Sequence, residues 1–132
     1  MKKKVWLLTA IVFMALTACE TEKEEIVDDS RNCYTGKLVK KGICMNYVIE
    51  VLDTNFDINL VETSWRDNFS DISYNNVFTL GSVCDFPTEI DEGATFDFLV
   101  LNEYDQECPV CLAYTPTPDK SLYISVCKKP LD

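Results

Sequence analysis

Six cysteines, Cys33, Cys44, Cys84, Cys108, Cys111 and Cys127, constrain this 132-residue chain more than any other feature. An even set of thiols within a stretch of about a hundred residues is the arithmetic of a three-disulfide framework, built in an oxidising compartment. Six cysteines allow 15 pairings, and their spacing alone does not choose among them. Each bridge contributes roughly 2–4 kcal/mol by restricting the unfolded chain. A domain of this size buries only a modest core, so that contribution matters.

Two sharper uses of the thiols compete with staples. A structural zinc site needs two close ligand pairs, whereas the chain has one, Cys108-Pro109-Val110-Cys111, and no histidine. A thioredoxin-like redox site needs its C-x-x-C at a helix N-terminus, where the thiol pKa falls. Here Leu112-Ala113-Tyr114 runs into Thr115-Pro116-Thr117-Pro118, which ends any helix after one turn. Without histidine, the usual base for a serine or cysteine nucleophile is also missing. A glycosidase needs only two carboxylates, but also a cleft that so small a domain rarely builds.

The seventh cysteine stands apart. Lys2, Lys3 and Lys4 precede an apolar run from Val5 to Leu16 that only Thr9 interrupts. A dozen residues are too few for a spanning helix, which needs about 20, so the run reads as a removable export signal. Leu16-Thr17-Ala18-Cys19 resembles the lipobox of bacterial lipoproteins. That resemblance implies residues 1–18 as signal peptide and Cys19 as the lipidated first mature residue. Several acyl chains there would anchor the protein stably. Residues 19–32 then form a tether. Glu20 to Ser30 holds six carboxylates, one lysine and no aromatic residue, too little apolar surface to fold. The acidic run also resembles the surface-export signal of Bacteroidota lipoproteins, which implies an outer-membrane, surface-exposed protein of the cell envelope.

Loss of residues 1–18, with three lysines and no acid, takes the net charge from −10 to −13. Such a surface repels phosphate backbones, which argues against nucleic acid as a partner.

Residues 33–132 form the remaining unit, and its apolar residues alternate as in strands. Expected strands are 34–39, 44–52 after a Lys40-Lys41-Gly42 turn, 58–61, 77–80, one opened by Gly93 and running over 96–101, and one carrying Leu122, Ile124 and Val126. Tyr47, Ile49 and Val51 share one face, as do Phe96, Phe98 and Val100. Gly81-Ser82 reads as a bulge or bend and Pro87 to Glu92 as a loop. Ser64 followed by Asp67 suggests a capping box, with one helical turn from Trp65 to Phe69. No 3.6-residue apolar period lasts three turns. The expected fold is all-β, five to six short strands in a small closed or partly open, disulfide-stapled barrel, with a β-sandwich as the alternative.

Tyr34-Thr35-Gly36, Gly42-Ile43-Cys44 and Tyr47-Val48-Ile49, with Glu92-Gly93 and Phe96-Asp97-Phe98, are similar to small OB-like lipoprotein domains of the Bacteroidota. Cys33 and Cys127 lie outside that pattern. A barrel of this type implies a strand order that carries the Gly42–Cys44 turn towards the segment after strand 96–101. Cys44 is therefore expected to pair with one member of the C-x-x-C and Cys84 with the other, leaving Cys33 for Cys127.

Two further candidate sites remain. Asp53, Asn55 and Asp57 alternate like the start of a calcium loop, but Ile58 and Ser64 stand where its glycine and glutamate belong; a turn explains them equally. Trp65, Arg66, Phe69 and Tyr74 could form a surface for a protein or carbohydrate ligand, or cover the end of the barrel. No cofactor is implied. The function expected is a non-catalytic binding or structural module held to the envelope membrane by its lipid. The alternatives are a thiol–disulfide oxidoreductase working through Cys108 and Cys111, or a small inhibitor or immunity-type protein.

Overall fold

A computed structural model describes residues 33–127. The expected signal peptide, Cys19 and the acidic segment lie outside the described residues, as do positions 128–132. Alternation at period two builds most of the strands where expected. They are β1 (Tyr34–Lys41), β2 (Tyr47–Val51), β3 (Trp65–Asp67), β4 (Ile72–Tyr74), β5 (Val77–Leu80), β6 (Thr95–Leu101) and β7 (Ser121–Val126).

Five of these close into a barrel in the order β1-β2-β5-β7-β6, with β6 returning to β1. Every pairing is antiparallel except β5 with β7. This is an OB-like barrel of five strands, not two packed sheets. Closure leaves no barrel strand with a free edge.

The ring of Phe98 sits at the centre, fully buried, with Tyr34, Phe56, Phe78 and Phe96 at 5.9–6.1 Å from it. Leu38, Ile49, Val51, Leu80 and Ile124 complete the interior. Gly36 on β1 makes room for that ring: a Cβ there would lie 2.9 Å from Phe98 and 3.2 Å from Ile49. The connection from β5 to β6 contributes Phe86, Val83 and Ile90 to the same core.

Three local expectations are corrected. Ile58–Leu60 is a 3-10 turn, not a strand, because Asp57 accepts a hydrogen bond from the Asn59 N–H and starts a helical turn. Residues 65–69 form no helical turn. Trp65–Asp67 is a strand that pairs with Ile72–Tyr74 in a hairpin outside the barrel, since Asp67 takes the Phe69 N–H and the Ser70 hydroxyl and closes a reverse turn instead. Lys40 and Lys41 belong to β1, and β2 begins only at Tyr47, because Ile43–Met45 folds into a 3-10 turn.

The hairpin covers a second, smaller apolar cluster. Val39, Val48 and Val77 project outward from β1, β2 and β5, and Trp65 and Tyr74 lie over them, their rings stacked at 6.0 Å. A clamp holds it there. Lys40 Nζ donates to Asp67 at 2.9 Å and sits 5.6 Å from the Trp65 ring. Burial opposes ionisation of Asp67, but hydrogen bonds from Lys40, the Phe69 N–H and Ser70 outweigh it and lower its pKa. The ionised form therefore contributes stability above pH ~4, which is lost as pH falls through the lowered folded value. Asp67→Asn is expected to cost about 2 kcal/mol in denaturant unfolding at neutral pH. The gap between variant and parent should close under acid. A gap that stays constant between neutral and strongly acidic pH would contradict the clamp.

Candidate binding surface

Closing a barrel tilts its strands and staggers their register. Here the stagger carries the β1–β2 turn, residues 42–46, alongside the β6–β7 connection, residues 102–120. Cys44 pairs with Cys111 across that junction, with Cα atoms 5.1 Å apart. Cys84 pairs with Cys108 at 5.6 Å, and Cys33 with Cys127 at 6.6 Å. The two members of the C-x-x-C thus belong to different bridges, and the motif holds no dithiol in this form.

The β1–β2 turn is strained. Cys44 and Met45 both occupy left-handed backbone, at φ 55° and 59°. For residues with a Cβ this costs about 1–2 kcal/mol each. Local contacts offset the cost: Asn46 donates through its side chain to the Ile43 and Ala113 carbonyls. Gly42 lets the chain fold back, since a Cβ there would meet the Asn46 carbonyl at 2.6 Å.

Connections longer than about 12–15 residues without regular structure are uncommon in compact domains and are often functional. Residues 102–120 form such a connection. Both arms are pinned to the barrel. On the outgoing arm the Tyr104 hydroxyl accepts from the Cys84 N–H at 3.1 Å, and its ring lies 5.6 Å from Tyr123. Burial pushes this phenol's pKa up, with Asp85 adding to the effect. On the return arm Pro116 O accepts from Lys40, Pro118 O from Thr79, and Lys120 Nζ donates to the Asn59 and Val61 carbonyls.

Between these arms residues 109–114 are exposed throughout. Leu112 is 97% exposed and Tyr114 82%, with Val110 beside them and Ile43 and Met45 across the Cys44–Cys111 bridge. Large apolar side chains left this exposed on neighbouring loops are candidates for an interaction site. Asp85, Glu103, Asp105 and Glu107 line a depression next to Cys84.

The residues singled out from sequence fare differently. Trp65 and Tyr74 cover the outer wall of β1, β2 and β5 rather than an end of the barrel. Arg66 is exposed and pairs with Asp71, and Phe69, 73% exposed, lies beside Lys40. The wall they cover, the outer face of the second and third barrel strands, is one part of the surface through which OB folds bind oligonucleotides and oligosaccharides. The loops between barrel strands 1–2 and 4–5, here residues 42–46 and 102–120, are the other part and stay uncovered by the hairpin. Asp53 and Asp57 spend carboxylate oxygens on the Asn55 and Asn59 N–H groups. Among the described residues no three His, Cys, Asp or Glu side chains are grouped to hold a metal. Ile43, Met45, Val110, Leu112 and Tyr114 were not expected as a group. Their signal was an apolar triplet, 112–114, caught between a cysteine and two prolines, where no strand or helix can bury it.

If the bridge fixes the exposed segment, then Cys44→Ser with Cys111→Ser should lower stability by roughly 2–4 kcal/mol and leave the barrel's circular dichroism intact. Chymotrypsin should then cut after Leu112 and Tyr114 much faster than in the parent. An unchanged cutting rate would show that the pinned arms alone hold residues 109–114.

In comparisons with known proteins, no family model, no curated protein and no solved structure matches this chain.

Proposed function

We propose that this protein is a non-catalytic binding module, held to a bacterial envelope membrane through lipid on Cys19, whose contact surface is the bridged loop cluster of residues 42–46 and 109–114. One observation carries the reading: strongly exposed apolar side chains sit on backbone braced by two disulfides and pinned at both ends. Fixing such groups before contact removes much of the ordering cost of association. The division of the C-x-x-C between two bridges favours staples over thiol–disulfide exchange. The acidic charge and the hairpin over the β2–β5 wall disfavour nucleic acid.

Position supports the same reading. Gly42 lies at the far end of β1 from Cys33, roughly 25 Å of strand away. A chain held from its N-terminal side would present these loops away from the point of attachment.

A photoreactive amino acid at position 112, tested in native cells, should give a discrete cross-linked product. The same residue placed at position 97, beside Cys127, should give none. Cys19→Ser should release the protein from membranes under high salt. No product at 112, or products at both positions alike, would remove the loop cluster as the contact surface. Salt-resistant retention of the Cys19→Ser protein would remove the lipid anchor.

A further inference from the structure

The charge around the apolar loops is one-sided. Residues 42–46 and 102–114 contain Glu103, Asp105 and Glu107 and no lysine or arginine, and Asp85 joins them across the Cys84–Cys108 bridge. The lysines closest in sequence, Lys40 and Lys41, are already engaged. Lys40 Nζ serves Asp67 and the Pro116 carbonyl. Lys41 Nζ serves Asp91 and the Thr88 and Ile90 carbonyls. Among the described residues the cluster therefore carries exposed apolar side chains and, on the same bridged connection, carboxylates with no ion-pair partner seen.

That pairing selects among the three surfaces an apolar patch can meet. A second copy would bring the same carboxylates face to face, and like-charge juxtaposition disfavours such contacts. A bilayer with anionic headgroups carries a negative surface potential and repels them too. A protein segment whose apolar side chains are flanked by lysine or arginine satisfies both halves of the surface at once.

Resting on the reading that these loops are the contact surface, we infer that the partner is a cationic amphipathic segment of another protein, its apolar side chains packing on Leu112, Tyr114 and Ile43 and its basic groups meeting Glu103, Asp105 and Glu107. The loops stay fixed and the partner's segment supplies the adaptable side. Attraction between the charges speeds encounter, and packing on the apolar residues slows release.

The test uses the lipidated full chain held in a phosphatidylcholine bilayer, with a protein-free bilayer as reference. Three synthetic helical peptides of equal length are passed over it: leucine/lysine, leucine/glutamate and serine/lysine. The leucine/lysine peptide should bind about tenfold or more tightly than either of the others, a difference of about 1.4 kcal/mol. E103Q/D105N/E107Q should weaken its binding by about fivefold or more and flatten its salt dependence. L112S/Y114S should reduce it to the level of the serine/lysine peptide.

Equal binding of the leucine/glutamate peptide, or no effect of the charge-neutral variant, would overturn the inference. Quenching of L112W by brominated lipid chains would assign the loops to the bilayer, and a photo-cross-linked homodimer from position 112 would assign them to a second copy; each overturns it as well. Should position 112 cross-link to a different protein while the peptides fail to discriminate, the contact surface survives and only the partner's chemistry falls.

Discussion

Two covalent bonds, Cys44–Cys111 and Cys84–Cys108, are what the loop side of this molecule depends on. The barrel core is small, centred on Phe98 and the aromatic rings around it, and it organises the strands without reaching residues 109–114. That segment buries too little to hold its own conformation. The bridges supply what burial cannot, by attaching it to the strained 42–46 turn on one side and to the β5–β6 connection on the other. Prolines 116 and 118 then lead the chain back to the barrel wall, their carbonyls taken by Lys40 and Thr79.

Two regions treat apolar surface differently, while single side chains such as Ile58 and Ile72 are exposed elsewhere. On the outer wall of β1, β2 and β5, Val39, Val48 and Val77 would be exposed, and the β3–β4 hairpin covers them with Trp65 and Tyr74. At the loop cluster, Leu112 and Tyr114 are left open although the same chain could have placed polar residues there. Exposure of such side chains costs solubility, and the high negative charge offsets that cost. The asymmetry between a covered wall and an open, braced tip gives the binding reading its physical basis.

Much of the barrel was legible in the sequence because strand alternation is a strong signal where one face is buried. Phe96-Asp97-Phe98 and Tyr47-Val48-Ile49 showed it plainly, and the expected pairing of the six cysteines agrees with the bridges found. The hairpin was not legible. Trp65-Arg66-Asp67 and Ile72-Ser73-Tyr74 are three-residue strands, too short for a period to register, and Ser64 with Asp67 imitated a helix cap. Ile58–Leu60 misled for the same reason: Ile58 and Leu60 alternate about Asn59 as in a strand, over a stretch too short for a period to register, and the Asp57 cap set its fate. The loop surface was hidden in another way. Sequence places apolar residues by default in a core, and only the bridges and prolines reveal that 110–114 cannot reach one.

If the bridged loops are the contact surface, a partner covers them in cells and they are open in the isolated protein. Hydroxyl-radical footprinting, read by mass spectrometry on whole cells and on purified protein, measures this directly. Leu112, Tyr114 and Met45 should oxidise much more slowly in cells than after purification, while exposed Phe69 on the hairpin should oxidise equally in both. Equal oxidation of Leu112 and Tyr114 in the two states, with Phe69 protected instead, would contradict the claim and return the contact surface to the hairpin.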